Sequence, residues 1–166
     1  MGMYPGGNII KVSPTISTDA YGTADLIFDK QEIKNVVPSR GGCSFLQNIS
    51  LYVNPTGDID IGILFFDNST SIGANANEAL TNIADGEFQA AGCIGSLNLD
   101  AGAGSVHMGN GRVYNSSRSS GSSGLPILLK AAEGETSIWF IAVTTSGTPT
   151  YAANGLDFTF NVQYLG

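Results

Sequence analysis

Leu156-Asp157-Phe158-Thr159-Phe160-Asn161-Val162-Gln163-Tyr164 alternates apolar and polar side chains without a break. Successive side chains of an extended chain point to opposite faces. Here one face takes Leu156, Phe158, Phe160, Val162 and Tyr164, and the other takes Asp157, Thr159, Asn161 and Gln163. The period is two, not 3.6, so the segment reads as a strand with one face in a core and the other in water.

The same reading extends upstream. In Asp58–Phe66, Ile59, Ile61, Ile63 and Phe65 share a face. The opposite face begins polar at Asp58 and Asp60 and ends apolar at Leu64 and Phe66, which predicts cover on both sides at its far end. Phe45–Val53 precedes it across Asn54-Pro55-Thr56-Gly57, a turn composition that predicts a hairpin. Ser137–Thr145 is apolar on both faces, with Ile138, Phe140 and Ala142 on one and Trp139, Ile141 and Val143 on the other. Such a strand lies either centrally beneath a loop or under a neighbouring subunit, and the second case makes Trp139, Ile141 and Val143 interface candidates. Weaker strands are expected at Ile9–Val12, Ala24–Phe28, Ile33–Val37, Gln89–Leu99 and Pro126–Leu129, and one short helix at Asn77–Ile83. Helices and strands do not alternate. The expectation is an all-β chain, a single-domain β-sandwich of jelly-roll type with eight or more antiparallel strands over residues 1–166. Residues 1–8 read as an N-terminal arm and residues 115–124, rich in Ser and Gly, as an exposed loop.

Only 13% of the 166 residues are charged and 42% are hydrophobic, so solubility rests on Ser, Thr, Asn and Gly. A surface poor in charge costs less to desolvate, which suits an assembled protein and equally a neutral polar domain. The net charge is −7, and Lys11, Lys30, Lys34, Arg40, Arg112, Arg118 and Lys130 do not cluster. Nucleic acid and anionic membranes are therefore not expected as partners. The opening residues lack the basic end and apolar run of a signal peptide, so the expectation is a chain made and kept in the cytosol, or released only when a cell lyses. Cys43 and Cys93 sit in no CxxC and are read as free, buried thiols.

Chemistry has little to work with. His107 is the single histidine, which rules out two-His zinc sites, and with no GxSxG elbow beside it a Ser/His/Asp arrangement is not expected and His107 reads as an incidental loop or strand histidine. Asp58 and Asp60 are weak candidates for a hard cation such as calcium, or for acid–base hydrolysis. The plain alternative is a solvated acidic face. Gly41-Gly42 and Gly102-Ala103-Gly104 match no phosphate loop. No catalytic set and no cofactor are expected, so the chain reads as non-enzymatic.

Leu125–Ala131, Ser137–Val143, Gly147–Tyr151 and the closing strand Gly155–Leu165 resemble small virion proteins encoded among the structural genes of tailed bacteriophages, and Asp58–Asp67 resembles their central strand. The likeness spans about two-thirds of the chain and consists of strand and turn patterns. It implies a β-sandwich subunit of the particle, a capsid decoration or cement protein on the capsid exterior. Its partners would be the major capsid protein and copies of itself, as a homo-oligomer with a trimer favoured. It transfers no individual functional residue. The other reading is a carbohydrate-binding jelly-roll module of a fibre or host-attachment protein. That reading requires exposed aromatics, with Tyr114 and Tyr151 as candidates, and calcium at Asp58 and Asp60.

Overall fold

The computed structural model describes residues 6–55, 58–101, 105–116 and 124–165. Most of the expected arm, the tip of the Ser-rich loop and Gly102–Gly104 lie outside the described residues. Ten strands are present: β1 (Gly7–Val12), β2 (Gln31–Ile33), β3 (Cys43–Pro55), β4 (Ile61–Phe66), β5 (Cys93–Leu99), β6 (Ser105–Met108), β7 (Gly111–Asn115), β8 (Ile127–Lys130), β9 (Ile138–Thr144) and β10 (Tyr151–Tyr164). A 3-10 turn, Leu80–Asn82, and one short helix, α1 (Asp85–Ala90), complete the described elements.

The strands form two antiparallel sheets. The larger runs β1-β10-β3-β7-β6, and β8 takes the rest of the β3 edge that β7 occupies. The smaller runs β2-β9-β4-β5. Setting the β6–β7 hairpin aside, the orders β1-β10-β3-β8 and β2-β9-β4-β5 are those of a double-sheet jelly roll. From β1 to β4, and again from β8 to β10, each successive strand crosses to the other sheet.

That crossing corrects the expected hairpin. β3 pairs with β10, β7 and β8, whereas β4 pairs with β5 and β9. Residues after β3 carry the chain between sheets, and Ile59 is buried on the way. The turn composition there marks a reversal but does not specify which sheet receives the next strand.

The alternation in β10 is borne out. Leu156, Phe158, Phe160 and Val162 are buried, while Asp157 is exposed. β10 lies between β1 and β3, so both its backbone edges are paired. Across the sandwich its rings meet β9. Phe140 lies 5.1 Å from Phe158 and 5.0 Å from Phe160, both edge-to-face, and 5.2 Å from Phe28. Edge-to-face packing sets the positive rim of one ring against the negative face of the next, which favours one arrangement over a merely greasy contact.

The smaller sheet has a second apolar layer behind it. Leu26, Phe66, Ile72, Ala91, Ile141 and Val143 form a separate buried cluster, with Leu80, Ile83, Phe88 and Trp139 packed at its margin. The cover comes from residues 67–92 between β4 and β5, together with the segment around Leu26. Backbone bonds stitch these together: Leu26 N–H donates to Glu78 O, Asn77 N–H to Leu26 O and Leu80 N–H to Ala24 O.

Several local expectations change for this reason. Ala24–Phe28 is not a strand; it makes isolated bridges at Asp25 and Leu26. The helix expected at Asn77–Ile83 is reduced to the 3-10 turn Leu80–Asn82, because Asn77 and Leu80 N–H pair with the Leu26 segment and Asn77 has a left-handed φ of 65°. The helix is α1 instead, and the strand expected from Gln89 starts at Cys93. Gly92 makes that switch, with a φ of +67° and the Asp67 carboxylate occupying the place of a β-carbon. The expected Ile33–Val37 strand does not form: β2 lies just before it and ends at Ile33, ahead of a turn at Asn35 of positive φ. The cysteines are free, but Cys43 is half-buried and Cys93 exposed, not buried as expected.

Candidate functional site

The two outer faces of the sandwich differ. That of the smaller sheet is roofed by the chain itself, whereas no described segment roofs the larger one. Cross-strand register defines the open face. Tyr52 on β3 lies opposite Val113 on β7 and Asp157 on β10, and Val106 on β6 lies opposite Val113. Met108 lies opposite Gly111 on the same face. The Tyr52 ring rests on Gly111, where a β-carbon would come within 2.6 Å of it. Glycine at that position lets the phenol lie flat along the sheet.

Met108 is 59% exposed, Val106 56% and Tyr52 37%. Ile9 on β1 and Leu128 on β8 add exposed apolar surface further along the same sheet. Between them stand neutral pairs. Ser50 Oγ donates to Asn115 Oδ1 at 2.7 Å, and Gln47 Nε2 donates to Gln163 Oε1 at 2.8 Å. Polar groups that already satisfy one another lose little when water is removed, while the exposed apolar groups gain. This face is therefore chemically suited to being covered.

Composition reading missed these residues because β6 and β7 are short and follow a glycine-rich stretch. The signal was Gly109-Asn110, a two-residue connection between paired Met108 and Gly111 with Gly109 at φ +64°.

The residues singled out by sequence fall elsewhere. Ile141 and Val143 belong to the roofed cluster and Trp139 sits at its margin, so their cover is intramolecular, the first of the two cases a doubly apolar strand allows. Asp58 pairs with the Arg112 guanidinium, whose side chain is 11% exposed. Asp60 is a staple: Oδ1 accepts from Ala101 N–H at 2.9 Å and Oδ2 accepts from Ser146 Oγ at 2.9 Å. Each carboxylate thus serves the chain's own groups. Among the described residues no three His, Cys, Asp or Glu side chains converge as a metal site would require. His107 is exposed on β6 opposite Arg112. Tyr114 and Tyr151 are buried, so neither offers an aromatic platform. Tyr114 Oη donates to Ile59 O at 2.9 Å, tying the inter-sheet crossing to β7.

Burial dominates the electrostatics. It pushes the phenols of Tyr21, Tyr114 and Tyr151 above their ordinary range, because a phenolate cannot be hydrated there. Lys30 is pulled down to about 8 by partial burial, against the opposing pull of Asp67 and Cys93. Its ammonium donates to Thr70 O and Ala91 O and stands 4.1 Å from the centre of the Phe66 ring, pinning the roof to the sheet.

No protein-family model matches the chain, and no curated protein matches it significantly. Among solved structures, a chain of Desmodium yellow mottle tymovirus is similar at 13% identity over 98% of this chain and 82% of that one, with a TM-score of 0.31. A chain of tomato aspermy virus is similar at 10% identity over 96% and 76%, with a TM-score of 0.36. At these scores neither likeness bears on function.

Proposed function

We propose that this chain is a non-catalytic structural subunit of a virus particle, a decoration or cement protein of the tailed-bacteriophage kind. It acts by docking the open face of its larger sheet on the particle. The observation that carries the reading is the contrast between the faces: one roofed by the chain itself, the other open, nearly neutral and dotted with Tyr52, Val106 and Met108. The strand and turn resemblance supports the choice of particle. Double-sheet jelly rolls are a recurrent architecture of viral shells, though also of lectins. The lectin alternative loses its candidate platform with the burial of Tyr114 and Tyr151.

In this proposal the protein is made in the host cytoplasm and ends on the capsid exterior, held by the major capsid protein and by copies of itself. Each contact is modest, but a shell repeats it many times, and repetition under a common load is what resists internal pressure. A trimer is the expected state, and light scattering decides it.

The test uses purified shells with and without the protein, challenged by heat and osmotic shock. Shells carrying it should survive longer. A V106D/M108S variant should melt like the parent, since both side chains lie outside the core, yet fail to bind or protect. Equal survival of bare and decorated shells removes the cementing role, and protection by the variant removes the open face as the dock.

A further inference from the structure

The roof over the smaller sheet has a property that roofing does not require. Two clefts of about 290 and 340 Å³ open in it, and Ile83 lines both. Leu80 and Phe88 line the first with Asp85; Ala74 and Ala79 line the second with Glu78. Glu87 stands against Gly73, another wall of the second cleft. The floor is half-buried apolar surface, and Phe88 is braced edge-to-face on Phe66.

The charge is one-sided. Residues 67–91 carry Asp67, Glu78, Asp85 and Glu87 and no basic residue. Lys30 faces Asp67 from below, with its ammonium engaged by backbone carbonyls. The ion pairs among the described residues, Lys34–Glu32 and Arg112–Asp58, involve neither Glu78, Asp85 nor Glu87. Glu78 accepts from Asn75 N–H at 2.7 Å and Glu87 from Ala84 N–H at 3.4 Å, each through Oε2, so these two hold the local backbone while keeping an unneutralised charge at an exposed position. These carboxylates are spread along the clefts and do not converge three to a point. A single metal ion requires convergence. A chain with several cationic side chains requires the spread, and the apolar floor adds a seat for an aliphatic or aromatic side chain.

We infer that this paired cleft is a docking site for a basic segment of a partner protein, seated by an apolar side chain on either side of Ile83 and by lysines or arginines against Glu78, Asp85 and Glu87. The site lies across the sandwich from the open face and does not depend on how that face is used. A protein docked on a particle by the one would present the other outward.

The probe is a short synthetic peptide of lysines and leucines spaced by serine, titrated calorimetrically into the intact protein. Binding should weaken as ionic strength rises. The isosteric variant E78Q/D85N/E87Q keeps hydrogen-bond acceptors at all three positions and should melt like the parent. It should bind about tenfold more weakly, the product of three small exposed charge contacts. I83S tests the apolar seat separately and should lower affinity while leaving the salt dependence unchanged. Four results overturn the inference: unaltered affinity in the charge variant, unaltered affinity in I83S, equal binding of a glutamate analogue of the peptide, or displacement of the peptide by spermine at equal charge. A fifth is self-association of the parent that I83S abolishes, which would make a second copy the occupant.

Discussion

Replacing Phe140 by alanine tests the central packing of the sandwich. Its ring is fully buried and makes edge-to-face contacts with Phe28, Phe158 and Phe160, so it joins β9 of one sheet to β10 of the other. Truncating a buried phenylalanine costs about 3–5 kcal/mol, the transfer loss plus the cavity left behind. Loss of three edge-to-face contacts raises this site from the low end to the middle of that range, about 4 kcal/mol. For a chain of 166 residues the unfolding entropy near the midpoint is about 0.35 kcal/mol/K, so Tm should fall by about 11 °C. F140L keeps most of the volume and should cost about 1 kcal/mol, or about 3 °C. M108S, on the open face, should stay within about 1–2 °C of the parent. Scanning calorimetry of the three variants against the parent measures all of this. The reasoning fails if F140A melts within about 2 °C of the parent, or if M108S loses as much as F140A.

Y114F removes a donor from buried Ile59 O and should cost about 1–3 kcal/mol in urea unfolding, with the m-value unchanged. Alkaline titration should destabilise the fold from about pH 10 upward. The folded-state values of Tyr21, Tyr114 and Tyr151 are raised, so the unfolded chain releases its phenolic protons first. Stability is whole below the unfolded value and falls as pH rises through the folded one. Tyrosinate absorbance from these three should appear together with unfolding; its appearance in a still-folded chain would contradict their burial. A thiol reagent should label Cys93 rapidly and Cys43 slowly in the native protein, and both rapidly in denaturant; the reverse order would put Cys93 inside.

The parts of this fold that were legible in sequence are those where one side chain decides one face. β10 alternates because one side meets Phe140 and the other meets solvent, so its sequence carries both facts. β9 was legible as a doubly covered strand, but Trp139, Ile141 and Val143 do not encode whether the cover is a loop or another molecule. Leu26 and Ile72, distant in sequence, are what settle it. The hairpin expected between β3 and β4 failed because Asn54 and Pro55 specify a reversal and not a destination; the partner choice lies in the long-range match of β3 with β10. The helix expected at Asn77–Ile83 shrank to the 3-10 turn Leu80–Asn82 because Asn77 and Leu80 N–H found partners around Leu26 instead. The open face was hidden for the opposite reason. Tyr52 is far in sequence from Val106 and Met108, and only cross-strand register makes it their neighbour.

β10 lies between β1 and β3, although more than half of the chain separates its synthesis from that of β3, and more still from that of β1. During translation neither can find its final neighbour on that side, since the strand that comes between them is not yet made. β3 must wait with one edge unmatched, or hold it against a temporary partner, until residues 151–164 leave the ribosome. Assembly of the larger sheet is therefore a late event in the life of the nascent chain, and a ribosome stalled before β10 leaves a sticky, unfinished edge for chaperones or proteases to find.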